Sequence, residues 1–364
     1  MPSLQTYHVL GIASGSELEG INASIITTDG VDVFEYGQNF DFPFDESFRE
    51  ELRQLHRKYP QIDEAERLRV EAEFTDFCIS SVKEIISEDD KVNLIGFGGH
   101  IISHQPNEHI LYQIGDCEKL ARACKIALVG HLRDADMLSG GKGAPLSAIY
   151  HVALSQKLPK PLAWVDVGGV SALTYIGQNG EMSAFDTGPG NAIINEWVNK
   201  RSGIPMDYNG SLAISGHIND EVLSSLMRHK FLSLPPPKAA DKSTFDDKSE
   251  HLAGLSLEDG AATATAFVAD SIIKSIHDFL PELPQKVIIC GGGSKNPTLM
   301  RFLKQRSAQI DFVSASDCGF APQAIEAQAF GFLAVRRCNR MPTSYPFTTG
   351  AAFEVIGGEV FADF

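Results

Sequence analysis

The chain has 364 residues, of which 43% are hydrophobic and 21% are charged, the balance of an ordinary globular protein. This length exceeds the ~100–200 residues typical of one domain, so it predicts two lobes. The net charge of -16 at pH 7 repels phosphate backbones and argues against DNA or RNA as a partner.

Three short apolar runs open the chain and predict a β-meander, and a similar arrangement recurs about halfway along. In both places a small-residue turn follows the first run. The six runs cover residues 7–13, 21–27, 31–36, 161–167, 170–176 and 182–185. The recurrence predicts an internal duplication of two α/β lobes, although two unrelated hairpins fit the pattern equally well.

Helical periodicity marks three further segments. Residues 64–86 carry one apolar stripe, and helices are also expected at 219–230, with Asn219 as the N-cap, and at 261–280. Between the last two, residues 235–238 and 241–250 are rich in proline and charge and predict an exposed loop.

Four glycine-rich segments are candidates for ligand binding, because a residue without Cβ lets backbone N–H groups approach a phosphate. They are residues 11–20, 140–145, 166–171 and 290–296. None has the Walker pattern, and none has the G-x-G-x-x-G of a dinucleotide fold. The last follows a buried-strand pattern and precedes a helix-like stretch, an order that suits a nucleotide at a helix N-terminus.

The six cysteines are scattered, with no C-x-x-C pair, which indicates reduced thiols and no zinc site. The N-terminal residues lack the basic start and apolar stretch of a signal peptide, and no apolar run approaches the ~18 residues of a membrane span. We therefore expect a cytoplasmic protein with no membrane segment.

Eight short segments, in a match that runs from about residue 8 to residue 358, resemble the motifs of one known family in the same order. Residues 14–22, SGSELEGIN, are similar to S-G-T-S-x-D-G-[IV]-D, residues 130–136, GHLRDAD, to G-D-F-R-x-x-D, and residues 140–146, GGKGAPL, to G-G-Q-G-A-P-L. The others are residues 186–191, 207–210, 290–293, 326–327 and 349–351. The family is that of the anhydro-N-acetylmuramic acid kinases.

This resemblance implies an α/β, two-domain actin-like ATPase (ribonuclease H-like) fold with duplicated mixed-sheet lobes around a central cleft. We assign residues 1–128 plus 350–364 to the first lobe and residues 129–349 to the second. The resemblance further implies a homodimer that uses ATP and Mg²⁺ in cell-wall recycling. Its substrate would be an amino sugar, whose 1,6-anhydro ring is hydrolysed while O6 is phosphorylated.

By resemblance, Asp136 is the catalytic base, although Asp is also a favoured helix N-cap and a capping role is the alternative. The implied substrate contacts are His131, Arg133, Asp186 and Glu326, and Asp186 could instead reach the metal through water. The metal ligands are not identified. The implied ATP contacts are Gly15, Ser16, Glu17, Glu19, Gly20, Asn22, Gly168, Gly169, Gly291, Gly292, Gly293 and Asn296.

The chain departs from the family's motifs in several loops. Glu17 replaces a serine, and Glu19 and Asn22 replace aspartates. A carboxylate close to a phosphate group repels it unless a metal ion lies between them. Residues 96–101, GFGGHI, stand in place of G-S-H-G-Q-T. Three single replacements, His131 for Asp, Lys142 for Gln and Asn195 for Asp, lie further on. A catalytically impaired paralogue that binds a sugar or a protein is therefore a second hypothesis, and an actin-like ATPase or chaperone is a third.

Overall fold

The computed structural model describes residues 4–15, 17–240 and 242–362, and within them it contains twelve strands and twelve α-helices. The strands are β1 (Tyr7–Ser14), β2 (Gly20–Thr28), β3 (Val33–Pro43), β4 (Leu94–Gln105), β5 (Ile110–Ile114), β6 (Leu128–Gly130), β7 (Leu162–Val167), β8 (Val170–Ile176), β9 (Met182–Pro189), β10 (Lys286–Cys290), β11 (Asp311–Ser314) and β12 (Glu359–Phe361). The helices are α1 (Glu46–Lys58), α2 (Glu64–Glu88), α3 (Cys117–Cys124), α4 (Asp134–Leu138), α5 (Ala148–Leu154), α6 (Asn191–Ser202), α7 (Ser211–Ser215), α8 (Asp220–Leu226), α9 (Leu257–Phe279), α10 (Pro297–Arg306), α11 (Ile325–Cys338) and α12 (Pro346–Thr349).

The chain divides into two compact units. The first unit comprises Met1–Gln156 and Ala324–Phe364, and the second comprises Lys157–Gln323. These boundaries differ from those of the predicted lobes because β6 pairs with β4 in the first unit's sheet, and α11 packs on β1 and β4 of the same sheet. Residues 129–156 and 324–349 therefore group with the first unit.

The first unit is built on a sheet with the strand order β12-β6-β4-β1-β2-β3, and β5 pairs with β4 beside this path. The strands β1, β2 and β3 form an antiparallel meander, whereas β4 lies parallel to β1 and β6 lies parallel to β4. Strand β1 is buried along most of its length, as expected of a strand covered on both faces. The unit has its own apolar core.

The second unit repeats this plan with the strand order β11-β10-β7-β8-β9. Again an antiparallel meander, β7 to β9, is extended by two parallel strands, β10 and β11. Numbered within its own unit, the second sheet has the order 3-2-1-4-5 of the ribonuclease H-like fold. The first sheet has the same arrangement with β6 in the fifth place, because β5 pairs with β4 beside the path. The predicted fold class, with duplicated mixed sheets, is confirmed.

The predicted helices are present, with shifted ends. The stripe at 64–86 forms α2, and the segment at 261–280 forms α9. Asn219 caps α8 as expected, since its side chain accepts a hydrogen bond from the Val222 amide. That helix ends at Leu226, before the predicted residue 230. Within the described residues, no helix combines the length and apolar character that a membrane crossing requires.

The prediction of an exposed loop over residues 235–238 and 241–250 is wrong at Lys238 and Phe245, which are buried. Lys238 is only 4% exposed, and a 3₁₀ helix at Lys242–Leu252 buries Phe245. The Lys238 ammonium lies 4.5 Å from the ring centre of Phe279 and donates a hydrogen bond to the carbonyl of Phe231. Its aliphatic stem packs among aromatic rings, and the cation–π contacts offset part of the cost of burying the charge. Asp241 lies outside the described residues.

Two glycines allow α11 to lie directly on the first sheet. A methyl group at Gly11 of β1 would be 1.8 Å from the carbonyl oxygen of Ala327, and one at Gly96 of β4 would be 2.3 Å from that of Phe330. Contacts this short are sterically forbidden, so only glycine permits this packing. The close approach fixes the start of α11, where Glu326 is found.

Candidate functional site

Asp136 is fully buried in α4 and connects three separate parts of the first unit. Its Oδ1 accepts hydrogen bonds from the hydroxyl groups of Ser344 and Thr349, the latter at 2.5 Å, and its Oδ2 accepts one from the Gly143 amide at 2.8 Å. The N-cap position of α4 is held by Arg133, and Asp136 lies inside the helix. The capping alternative for Asp136 is therefore wrong.

The glycine run after α4 wraps closely around this carboxylate. Gly140 and Gly143 have φ angles of 82° and 69°, the left-handed region that favours glycine. A methyl group at Gly141 would lie 2.2 Å from Asp136 Oδ2. The run is also tied to α12, because the Lys142 amide donates to the Thr349 carbonyl at 2.8 Å. The glycine run thus forms a closed loop around the Asp136 carboxylate.

Arg133 and Glu326 lie near each other in the same unit. Arg133 Nη1 donates to the Gly143 carbonyl at 2.6 Å, and its guanidinium carbon lies 5.8 Å from the ring centre of Phe330. Glu326 is in the first turn of α11 and its side chain is on the exposed side of an otherwise buried helix. Desolvation by the surrounding protein raises the pKa of Glu326, and the positive charge of Arg133 opposes that rise. The Arg133 guanidinium thus stabilises the ionised form of the Glu326 carboxyl group.

His131 is held by its own unit. Its backbone has a left-handed φ of 51°, and its Nδ1 lies 3.5 Å from a carboxylate oxygen of Asp134. Hydrogen bonding to Asp134, with a further contribution from Cys117, raises the pKa of His131 to about 10. The imidazole is therefore a partner of Asp134, half-buried against Phe361.

Asp186 belongs to the second unit and is buried there. Its Oδ2 accepts a hydrogen bond from the Ala240 amide at 2.8 Å, and its own amide donates to the Lys238 carbonyl at 2.9 Å. These contacts anchor residues 238–240 to strand β9. The side chain has a structural role that the sequence did not reveal.

The turn between β1 and β2 carries the predicted ATP contacts of the first unit, of which Ser16 lies outside the described residues. Leu18 has a left-handed φ of 58° and is buried, so it anchors the turn, while Glu17 and Glu19 are exposed. Gly20 packs against β3, where a methyl group would lie 2.0 Å from a backbone oxygen. Asn22 lies on β2, and its amide donates to the Asp41 carboxylate.

The glycine segments 168–169 and 291–293 come together in the second unit. The carbonyls of Gly168 and Gly169 accept hydrogen bonds from the backbone amides of residues 191 and 190, which begin α6. The Asn191 side-chain amide donates to the Val167 carbonyl. A methyl group at Gly292 would lie 3.2 Å from the nitrogen of the same Asn191 amide. Asn191 therefore bridges the two segments.

Asn296 and Gly291 frame the start of α10. Asn296 Oδ1 accepts from the amides of Thr298 and Leu299 at 3.0 and 3.1 Å, so it is the N-cap of this helix. Gly291 has a φ of 69°, and a methyl group there would lie 2.1 Å from Asp166 Oδ1. The predicted order of strand, glycine turn and helix is present, with Asp166 at the end of β7 beside it.

Ser344, Thr349 and Asn191 were not among the predicted site residues. Thr349 and Asn191 lie inside matched motifs and could have been found there, whereas Ser344 has no sequence signal. In the part of the chain that the structure describes, no group of three or more His, Cys, Asp or Glu side chains is arranged to hold a metal ion.

Comparison with known proteins identifies the family. The model of the family described as anhydro-N-acetylmuramic acid kinase matches residues 7–363. The chain belongs to the anhydro-N-acetylmuramic acid kinase family. An anhydro-N-acetylmuramic acid kinase of Rhodospirillum rubrum is 39% identical over 352 residues, which are 96% of this chain and 92% of that protein. One from Rhodopseudomonas palustris is 39% identical over 360 residues, which are 96% of this chain and 97% of that protein. The resemblance drawn from the motifs is confirmed.

Among solved structures, component A of the (R)-2-hydroxyglutaryl-CoA dehydratase of Acidaminococcus fermentans matches with a TM-score of 0.46 and 11% identity. That match covers 90% of this chain and 98% of the other.

Proposed function

We propose that the protein is an ATP-dependent sugar kinase that hydrolyses the 1,6-anhydro ring of anhydro-N-acetylmuramic acid and phosphorylates O6. The observation that carries the proposal is the family match over residues 7–363, in which the Arg133 and Asp136 motif is retained. The relatives are named for this activity. The product would be the 6-phosphate of N-acetylmuramic acid, an intermediate of cell-wall recycling.

Asp136 acts as the general base in this proposal. A carboxylate accepts about four hydrogen bonds, and three donors already hold this one in place. The remaining acceptor position, on Oδ2, would accept a proton from the water that attacks the anomeric carbon. The bond from that carbon to O6 then breaks, and O6 takes the γ-phosphoryl group of ATP. A base held in this way contributes typically ~10²–10⁴-fold in rate.

Arg133 and Glu326 are the proposed contacts for the sugar. A guanidinium group matches a carboxylate in a two-point contact, so Arg133 suits the lactyl carboxylate of the substrate. Glu326, with its raised pKa and its position near Arg133, suits a hydroxyl or amide of the same sugar. His131 and Asp186 remain proposed contacts for the sugar. Asp134 and the Ala240 amide hold them in place, and a carboxylate that accepts a backbone amide can still accept a hydroxyl group.

The glycine turns suit phosphate groups. A methyl group at Gly15 would meet no atom within 4 Å, and one at Gly168 only a backbone oxygen at 3.7 Å, so both turns have room on the side where a side chain would stand. Backbone amides of such turns, together with the N-terminus of α10, are typical phosphate ligands. Asp166, beside Gly291, is the residue we propose for Mg²⁺, held through water. The ion would neutralise charge on the phosphates.

Incubation with ATP, Mg²⁺ and 1,6-anhydro-N-acetylmuramic acid tests the proposal. We expect ADP to form together with a sugar 6-phosphate, and Asp136→Asn to lower kcat by ~10²-fold or more. Asn can still accept from the Gly143 amide, and the Ser344 and Thr349 hydroxyls can turn to accept from its amide group, so the variant should fold.

Asp116→Asn is the matched control for that variant. Asp116 caps α3 through the Lys119 amide, and asparagine caps a helix equally well. This variant should turn over as the wild type does. Full activity in Asp136→Asn would remove Asp136 as the base, and no ADP release with any anhydrosugar would remove the kinase proposal.

The exposed Glu17 and Glu19 on the β1–β2 turn favour the alternative of an impaired paralogue. Two carboxylates near phosphate weaken nucleotide binding by like-charge repulsion. Thermal denaturation with and without ATP and Mg²⁺ separates the two, because a ligand that binds only the folded state raises the melting temperature. A clear rise of the melting temperature with ATP and Mg²⁺ counts against the impaired paralogue. A rise with the sugar, together with no rise with ATP and Mg²⁺, counts for it.

We also propose that the protein works in the cytoplasm as a homodimer. All six cysteines lie within the described residues and are free thiols, as is usual in a reducing compartment. The dimer follows from the family resemblance alone. Light scattering during gel filtration measures it, and a monomeric mass at micromolar concentration would contradict it.

A further inference from the structure

A chain of three polar side chains runs from the end of β1 to α1 in the first unit. Ser14 Oγ lies 2.9 Å from His100 Nδ1, and His100 Nε2 lies 3.2 Å from His56 Nε2. His100 is completely buried, whereas Ser14 and His56 are half-buried. A hydroxyl group next to an imidazole that is itself oriented by a third group is the arrangement that activates a nucleophile.

A bulge in β4 brings His100 to Ser14. Strand β4 lies parallel to β1, with Ile12 opposite Phe97 and Ser14 opposite His100, so β4 has one more residue than β1 over this stretch. The extra residue is accommodated by Gly99, whose φ of 63° is left-handed. Phe74 of α2 packs against the His100 ring, at 5.8 Å between ring centres. The imidazole is therefore fixed in position before any ligand arrives.

Ser14 also lies next to the turn that we propose for the phosphates of ATP. Gly15 follows it directly, and the Ser14 hydroxyl can donate to the Gly20 carbonyl across the turn at 3.3 Å. The contact with His100 is shorter, at 2.9 Å. The hydroxyl thus has two alternative acceptors, the carbonyl that closes the turn and the imidazole that can remove its proton.

We propose that Ser14 accepts the γ-phosphoryl group of ATP, with His100 as its general base and His56 as the outlet for the proton. This step rests on the proposed function, because it needs ATP at the β1–β2 turn. The bond from Ser14 Oγ to the γ-phosphorus forms as the bond from that phosphorus to the bridging oxygen breaks, and ADP leaves. The Ser14 proton moves to His100 Nδ1, the His100 Nε2 proton moves to His56 Nε2, and the half-buried His56 releases a proton to water. The protein is then phosphorylated on Ser14 in the absence of sugar.

Two reactions of the purified protein test the inference. In the first, the protein is incubated with ATP and Mg²⁺ without sugar, and phosphopeptides are mapped by mass spectrometry. In the second, it is treated with a fluorophosphonate, which reacts with activated serine hydroxyls and needs no nucleotide. We expect both adducts on Ser14 and neither in Ser14→Ala.

The histidine variants test the relay. His100→Gln keeps a hydrogen-bonding side chain but cannot take up a proton, so both labelling rates should fall at least ~10-fold. His56→Gln, at the half-buried end of the chain, should slow both reactions as well, which keeps the test valid if the buried substitution prevents folding. The chain also offers a matched control in Thr27, whose hydroxyl lies 2.9 Å from His8 Nδ1 on the same sheet. Thr27→Val should label as the wild type does.

The outcomes separate this inference from the sugar kinase. Labelling of Ser14 by the fluorophosphonate but not by ATP, labelling of another residue, or a wild-type rate in both histidine variants would each overturn it. Sugar turnover without Ser14 phosphorylation would also overturn it and would leave the kinase proposal standing. Ser14 phosphorylation without sugar turnover would support it and remove the sugar kinase.

Discussion

The buried Lys238 gives the second unit a predictable dependence of stability on pH. Its ammonium group lies 4.5 and 4.9 Å from the ring centres of Phe279 and Phe231, and it is only 4% exposed. Burial lowers the pKa of Lys238 from 10.5 to about 8, and the negative charge of Asp186 opposes that change. The folded protein therefore loses this proton more easily than the unfolded chain does.

Between pH 8 and 10.5 the unfolded state binds more protons at this position, so the free energy of unfolding rises with pH across that window. The contribution is fully present above 10.5 and is lost as the pH falls through 8. The gap between the two pKa values corresponds to about 3 kcal/mol, or about 2 kcal/mol after allowance for solvent screening.

Lys238→Met tests this magnitude because methionine keeps the apolar stem and has no charge. Both tryptophans of the chain, Trp164 and Trp197, are buried in the second unit, so their fluorescence during urea denaturation reports on that unit. We expect the wild type to gain about 2 kcal/mol relative to the variant between pH 7.5 and 10.5. The other titrating groups are common to both proteins and cancel. A difference that does not change with pH would refute the reasoning.

Three further predictions concern packing, capping and charge. Gly11→Ala forces a methyl group to 1.8 Å from a backbone oxygen of α11. It should destabilise the first unit by ~3 kcal/mol, measured by thermal denaturation. Gly254→Ala is the control and should destabilise the protein far less, because its methyl group would meet no atom within 4 Å. Asn296→Ala removes the N-cap of α10 and should lower the free energy of unfolding by ~1 kcal/mol, measured by tryptophan fluorescence. His131 should titrate near pH 10 by NMR, and Asp134→Asn should lower its pKa; an unchanged value would show that Asp134 is not the cause.

The strands of the two meanders and three of the helices could be predicted because their signals are local. The alternating and apolar runs of both meanders, the stripe of α2 and the Asn219 cap all lie within a few residues of the structures that they specify. The prediction failed at Lys238, where burial depends on aromatic rings that surround it from β9, α9 and residue 231. Proline and charge in that stretch indicated a loop, and only the tertiary contacts reverse that conclusion.

The candidate site could be predicted only in part for a similar reason. Asp136 was identified within a short motif, but Ser344 and Thr349, which hold its carboxylate, follow it by 208 and 213 residues. Thr349 lies inside a matched motif, but nothing in the sequence indicates that it or Ser344 contacts a residue so far away along the chain. Similarly, the sequence did not indicate that Asn296 caps α10 or that Asp186 anchors residues 238–240.

Turnover in ¹⁸O-labelled water tests the central claim most directly. If water attacks the anomeric carbon while O6 receives the γ-phosphoryl group, freshly formed product carries one ¹⁸O at the anomeric position and none in its phosphate. Asp136→Asn should form this product at least ~10²-fold more slowly. Mass spectrometry locates the label in the sugar, and ³¹P NMR detects it in the phosphate. Label in inorganic phosphate, with the anhydrosugar unchanged, would mean that the protein hydrolyses ATP and does not act on the sugar ring.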